Sequence, residues 1–364
     1  MLNKLTNIFA KKTDRIGIEL NSRKINIAQI VKQGQQYKLI KNVSADVPEG
    51  VYKDGQIVDS LTLSELIKDT LKANKISGKK VSTAVPMREA IIRVIPVPAE
   101  LDEQELKDMV LVHEAGMYLP YPREEVDLDY VKLGYFMDED GIEKVNVLLV
   151  ATKKEVTDLY AEIFQQAELQ MSVLEINSFA LIRTIREQLR QFGSKEAVVL
   201  VDVEFDSTEI AIVVEGVPQF SRTVPIGIDQ MRAAISHVID ESETAFLEDI
   251  DLLGNVQDGG DAGSAQMQSG KLALLKVLGE LTEELSRSIN FYINQSEELE
   301  IAQLLLAGPG AGIGQMDEFF TQRLNLPTMK VDPIVTLALD VNEDIAPNQR
   351  PGLGIVLGLG MRDV

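Results

Sequence analysis

The stretch VVLVDVEFDSTEIAIVVEG, residues 198–216, reads as a β-hairpin. An apolar run, Val198 to Val201, leads into a short acidic turn over residues 202–207. A second apolar run follows, and a third strand after Gly216. Working outward, residues 16–30, IGIELNSRKINIAQI, repeat this layout. Ile16, Ile18 and Leu20 alternate on one side of a polar turn around Ser22, and Ile25 and Ile27 on the other. Alternation at period two on both sides of a short polar turn is a hairpin signal. YKLIKNVSADVP continues as a third strand. Strand, polar turn, strand, third strand and helix thus occur twice, a weak internal duplication.

Between and around the hairpins the pattern alternates between periods two and 3.6. Leu63, Leu66, Ile67, Thr70 and Leu71 form one helical stripe, with Ser64 placed as its cap. KKVSTAVP is a short strand ended by Pro86. From residue 87 the texture changes to strand, helix, strand, strand, helix, an inserted subdomain. Its first helix opens on acids and closes at Pro120 and Pro122. SVLEINSFALIRTIREQLRQFG reads as a short strand and one long helix, ended at Gly193. Residues 246–270 are acidic and glycine-rich and read as a mobile loop before a long helix with Leu274, Leu278, Leu281 and Leu285. An apolar run to Ala307 then meets GPGAGIG and a helix over 316–324, and GLGIVLGLGMR closes the chain.

Composition narrows the function classes. The chain has 364 residues, with Lys+Arg 36 against Asp+Glu 57 and a formal charge of -21. Nucleic-acid binding needs a basic face, so that class is excluded. With 0 cysteines there are no disulfides, thiol nucleophiles or cysteine metal sites. His113 and His237 stand far apart, which argues against a histidine metal site or a serine triad. His113 itself reads as a solvated helix residue. No run reaches the roughly 20 apolar residues of a membrane span. Leu2, Leu5, Ile8 and Phe9 share helical spacing among lysines, which reads as a frayed terminus or a short docking helix.

The GPG turn is the strongest single chemical signal. Gly308, Gly310 and Gly312 let backbone approach a ligand closely, and the next helix start offers free N–H groups. Alone it reads equally as a strand-to-helix packing turn.

In order along the chain, these motifs resemble the actin-like ATPase superfamily, and within it the PilM family of type IV pilus assembly proteins, itself similar to FtsA. The residues carrying the resemblance are IGIELNSRKINIAQI, the insert with Tyr118 to Pro122, VVLVDVEFDSTEIAIVVEG, RTVPIG, EELSRSINFY, LLAGPGAGI and GLGIVLGLGMR. The resemblance implies an α/β, actin-like (ribonuclease H-like) two-lobe fold with an FtsA-type inserted subdomain 1C. It divides the chain into an N-terminal segment 1–15, subdomain 1A at 16–86 and 172–196, 1C at 87–171, 2A at 197–245 and 300–334, 2B at 246–299, and a return to 1A at 335–364.

It also implies ATP or ADP with Mg²⁺ between the lobes. Asn21, Ser22, Arg23 and Lys24 would face the phosphates from lobe one, and Asp202, Asp206, Ser207 and Thr208 from lobe two. Asp202 would hold Mg²⁺ through water. Glu284, Arg287 and Ser288 would lie beside ribose and base, and Gly308, Pro309 and Gly310 over the adenosine. Both hairpins depart from the family's Asp-Ile-Gly: they read Glu19-Leu20-Asn21 and Asp202-Val203-Glu204. At the position of the water-orienting acid stands Asn177, so Asp202 and Asn177 are the candidates for any catalytic part, and hydrolysis is expected to be slow or absent.

As partner the resemblance implies the short cytoplasmic tail of PilN, in a groove between 1A and 1C that includes Met117, Tyr118, Leu119, Pro120 and Tyr121. It extends to pilus ATPases and other platform proteins, allows a ring or homo-oligomer, and places the protein in the cytoplasm, at the inner membrane only through partners. Two other readings share the superfamily: a sugar- or acetate-kinase-like phosphotransferase, for which no base-plus-substrate motif is visible, and a filament-forming protein.

Overall fold

The computed structural model describes residues 15–362 apart from 35, 237–246, 248–249, 254–261, 296–298 and 343. The N-terminal segment read as a frayed terminus or a short docking helix, His237 and much of the glycine-rich loop lie outside the described residues.

The first sheet holds β1 (Arg15–Leu20), β2 (Lys24–Gln33) and β3 (Gln36–Asp46) as an antiparallel meander. A two-stranded ribbon, β4 (Tyr52–Lys53) and β5 (Gln56–Ile57), precedes the helix Ser60–Ala73. That helix is capped by Asp59, which accepts from the Thr62 N–H; the expected cap Ser64 lies inside it. β6 (Lys80–Val85) then joins β1 in parallel.

The insert is a three-stranded antiparallel sheet of β7 (Ala90–Pro98), β8 (Val126–Met137) and β9 (Glu143–Lys153), in the order β7-β9-β8. Its own core gathers Ile95, Val97, Leu106, Val110, Val145, Val147 and Leu149. The helix Lys154–Gln166 leads back to β10 (Gln170–Ile176), which pairs with β6 and forms the edge of the first sheet.

The second sheet repeats the plan. β11 (Glu196–Val203), β12 (Thr208–Val214) and β13 (Val217–Val224) form a meander, and β14 (Glu300–Ala307) and β15 (Thr328–Lys330) add in parallel beyond β11. The order β13-β12-β11-β14-β15 matches β3-β2-β1-β6-β10, with the short β16 (Asp340–Val341) added outside β3. The duplication suggested by the hairpins is therefore a duplication of topology.

Between the sheets lie the helices Asn177–Thr184 and Gly354–Gly360. The glycine-spaced C-terminal segment is a helix because it must pack backbone against backbone. A Cβ placed on Gly358 would sit 2.0 Å from the Ala180 carbonyl oxygen. One core therefore runs through both lobes, from Ile18 and Leu63 through Leu181 to Leu200, Val213 and Leu305. Two expectations differ. The helix after β10 breaks at Ile185 and resumes as Arg186–Leu189. The long second-lobe helix starts at Ala262, within the segment expected to be loop, and runs to Ile293.

Candidate functional site

The two hairpin turns face one another across the cleft between the lobes. In the first, the Asn21 side chain closes the turn, its Oδ1 accepting from the N–H groups of Arg23 at 3.1 Å and Lys24 at 2.8 Å. Arg23 reaches across to lobe two and donates to both carboxylate oxygens of Asp229, at 3.2 and 3.1 Å. Lys24 points to Asp46 at 3.9 Å. In the second turn the Glu204 N–H donates to the Ser207 carbonyl at 2.9 Å. Asp206 and Ser207 are held by Arg88 Nη1, at 3.0 and 3.2 Å, and Arg88 Nη2 donates to the Gly55 carbonyl at 2.6 Å. Thr208 is fully buried and donates to the Ile226 carbonyl.

Behind the turns four carboxylic groups are buried together: Glu19, Asp202, Glu204 and Glu209. Burial pushes Glu19 up to about 8, against a weaker pull from Asn26, and Asp202 up to about 7. It pushes Glu209 to about 8 as well. Glu204 is raised by burial first, then by the neighbouring Asp202, Glu19, Glu209 and Asp206. Their hydrogen bonding is sparse. Asn26 donates to Glu19 at 3.3 Å and the Met87 N–H to Glu209 Oε1 at 2.5 Å. Both Asp202 oxygens, Glu204 Oε2 and Glu209 Oε2 have no hydrogen-bond partner among the described residues. Unpaired buried polar atoms are costly and mark functional places.

A cavity of about 500 Å³ opens in front of this group. Of the residues expected at the phosphates, Asn21, Ser22, Asp206 and Ser207 line it, and so does the buried Asn177 at the start of its helix. Arg23, Lys24, Asp202 and Thr208 do not line it; Arg23 joins the lobes, Lys24 pairs at the strand end, Thr208 ties the turn to Ile226, and Asp202 is buried behind the turn. Glu284, Arg287 and Ser288 are drawn into a network with Arg222 instead: Glu284 pairs with Arg222 and Arg287 at 2.7 Å each, and Arg222 donates to Ser288 at 3.4 Å. The glycine loop is packed down on the second hairpin. A Cβ on Gly308 would meet Asp202 Oδ1 at 2.4 Å, and one on Gly310 would meet Val203 Cγ1 at 2.3 Å. Gly308, Pro309 and Gly310 thus seal the strand end and do not line the cavity.

Sequence reasoning did not single out Arg88, Glu209, Tyr52 or Asp229. The only trace of Glu209 in the sequence is a charge inside an otherwise apolar strand.

On the insert, Met117 stands 70% exposed and Tyr121 lies beneath Lys153, whose Nζ is 4.9 Å from the ring centroid. Leu119 packs on the insert's own core. A separate groove of about 620 Å³ lies between the insert and the edge of the first sheet, walled by β8, β9, β10 and Phe179.

Two sheets of one topology, hairpin turns facing across a cleft and helices shared between the lobes define an actin-like fold. The family model described as "Type IV pilus assembly protein PilM" matches residues 17–364, and the chain belongs to that family. Among solved structures it is similar to a PilM-PilN type IV pilus biogenesis complex, with a TM-score of 0.77 and 22% identity over 96% of this chain and 98% of that one. It is similar in fold to ethanolamine utilization protein EutJ from Carboxydothermus hydrogenoformans, at 0.52 and 12%, over 95% and 88%. MreB5 of Spiroplasma citri bound to ADP matches at 0.49 and 12%, over 89% and 94%.

The fold class raises the question of a Mg²⁺-nucleotide, and the residues expected around one divide between the cavity wall, with Asn21, Ser22, Asp206 and Ser207, and contacts elsewhere. Glu204 is buried behind the second turn, and Glu284, Arg287 and Ser288 are engaged in the network around Arg222. No three acidic or histidine side chains among the described residues converge as metal ligands.

Proposed function

We propose that this chain is a cytoplasmic scaffold of the type IV pilus machinery, held at the inner membrane by capturing the short cytoplasmic tail of a PilN-like membrane protein. The observation that carries this is the groove between the insert and the first sheet. Its walls are apolar, with Leu128, Tyr130 and Val131 from β8 facing Val173, Leu174 and Ile176 from β10. Both β8 and β10 are sheet edges, each with one hydrogen-bonded neighbour among the described strands. An extended segment can add to such an edge through its backbone while alternate side chains enter the apolar wall. Asp127, Asp129 and Glu175 give the groove polar ends; Glu175 is fixed by a bidentate pair with Arg183 at 2.7 Å. The solved PilM-PilN complex supports the class of partner. Among the described residues no helix is long and apolar enough to cross a membrane, so attachment through a partner is consistent.

Binding, not catalysis, is the function on this reading. ATP or ADP with Mg²⁺, implied by the resemblance, has no part in tail capture, and the amide of Asn177 cannot serve as a base toward water.

Calorimetric titration with a peptide copying the tail tests the placement. Val131→Glu and Val173→Glu are expected to weaken binding at least tenfold, about 1.4 kcal/mol, while Met117→Ala and Tyr121→Ala leave it intact. The opposite pattern would move the tail to the turn over residues 117–121.

A further inference from the structure

A second interlobe cavity, of about 510 Å³, lies at the end of β12 away from the hairpin cleft. One wall is the helix Asn177–Thr184 with its continuation Arg186–Leu189; the other is the Glu215–Gly216 turn of lobe two. Its floor is apolar: Phe179, Ile182, Leu189 and Phe192 line it and belong to, or pack against, the core shared by the lobes. Its rim is basic. Arg183, Arg186 and Arg190 all line it, against one acid, Glu215, in a chain of formal charge -21. The helix restarts at Arg186 after the break at Ile185, and the Arg190 N–H donates to the Arg186 carbonyl at 3.2 Å. The two side chains therefore lie one turn apart on one face, where like charges repel. Arg183 is committed, to Glu175 in a bidentate pair and to the Gly358 carbonyl at 2.8 Å. Arg190 has only a surface pair with Glu187, the side chains 59% and 67% exposed, a contact of little worth in water. Arg186 is exposed, with neither an ion pair nor a hydrogen bond among the described residues.

We propose that this cavity docks an acidic, amphipathic segment of a protein partner, with carboxylates on Arg186 and Arg190 and an apolar side chain on the floor between Phe179 and Phe192. A guanidinium presents a planar fork that matches a carboxylate, and arginine beside an apolar pocket is the composition of a binding hot spot. A free phosphate would use the arginines and leave the apolar floor wet. A bilayer would leave the recess between the lobes unfilled and would meet a chain of strongly negative charge. Phe179 also walls the tail groove, whose polar residues include Asp127 and Asp129; an acidic segment suits this cavity and not that groove. The proposal goes beyond the tail reading and does not rest on it.

The test is a phage-displayed library of random dodecapeptides, selected on the full chain and counter-selected on Arg186→Glu. Selected sequences are expected to place acidic residues beside leucine or an aromatic residue. In fluorescence polarisation the tightest selected peptide should bind Arg186→Ala at least tenfold more weakly, and should weaken as NaCl is raised. Arg190→Ala should also weaken it, whereas Glu187→Ala, which frees Arg190, should bind at least as well as the wild type. Neither Arg186 nor Arg190 has a buried partner, so both variants should keep the wild-type melting midpoint. Selection of sequences without acids, no selection at all, or equal affinity in the wild type and Arg186→Ala would overturn the proposal. So would displacement of the peptide by inorganic phosphate at equal concentration, or Arg186-dependent binding to phosphatidylglycerol vesicles in place of peptide. Self-association in sedimentation velocity that Arg186→Ala abolishes would assign the face to a second copy and would overturn it too. The tail peptide should bind Arg186→Ala as it binds the wild type, because Arg186 does not line the tail groove, so the two proposals fail separately.

Discussion

Asn21 and Glu204 occupy the two turn positions where the family pattern has glycine, and they meet the turn in different ways. Asn21 substitutes its own amide oxygen for the missing backbone freedom. Glu204 keeps the backbone turn but carries a buried carboxylate beside Glu19, Asp202 and Glu209. This has a pH consequence. Carboxylic groups raised from ordinary values near 4 to about 7 or 8 hold protons in the folded state that the unfolded chain has released. Stability from these groups is therefore complete below the ordinary range and is lost as pH rises toward 8. Differential scanning calorimetry should show the midpoint falling from about pH 5 to about pH 8, with a shallower fall in Glu204→Gln; a midpoint that climbs steadily to pH 8 would refute the buried cluster. The turn residues themselves were legible, since an acidic break between apolar runs can only be a turn. The cluster was not, because it forms over long separations: Arg88 meets Asp206 across 118 residues and Met87 meets Glu209 across 122.

Among the elements, those with a one-sided apolar stripe were read well: the helices Ser60–Ala73 and Lys154–Gln166 bury Leu63 with Ile67, and Ile163 with Phe164. Elements defined by packing on both sides were not. The helix Gly354–Gly360 is buried all round and shows no stripe. The insert's first helix turns into a π-helical stretch over Met109–Glu114, which its sequence does not announce. Two glycines separate the packing role from the conformational one. Gly358→Ala would press a methyl group into the Ala180 backbone and should cost on the order of 2–3 kcal/mol. Gly279 lies inside the helix Ala262–Ile293 with nothing within 4 Å of a new Cβ, so Gly279→Ala should stabilise by about 0.5–1 kcal/mol. Urea titration of both variants checks the contrast; equal signs would mean that the interlobe helix packs less closely than described.

At the scale of the molecule, the order of the motifs along the chain was enough to read a two-lobe fold, while nothing local indicated how the lobes are held. They are held by charge at the rim and by one core beneath. Arg88, with three hydrogen bonds and a side chain 26% exposed, is the stronger clasp; Arg88→Ala should cost on the order of 1–2 kcal/mol. Arg23, half exposed in its pair with Asp229, should cost less than about 1 kcal/mol. Loss of both should widen the cleft, seen as a larger radius of gyration in X-ray scattering. Yet the chain should still unfold as a unit. Leu20, Ala180 and Leu181 from the first lobe pack in the same core as Val198, Ala211 and Leu305 from the second, with Ile355 and Leu359 between them. Neither sheet can shed that layer without exposing the apolar face of the other, so separating the lobes costs much of the energy of unfolding them. A chain of this length often melts domain by domain. Here fluorescence and far-ultraviolet dichroism should report one coincident transition, even in the Arg23→Ala, Arg88→Ala double variant. Two resolved transitions in that variant would show that the rim pairs, and not the shared core, join the lobes.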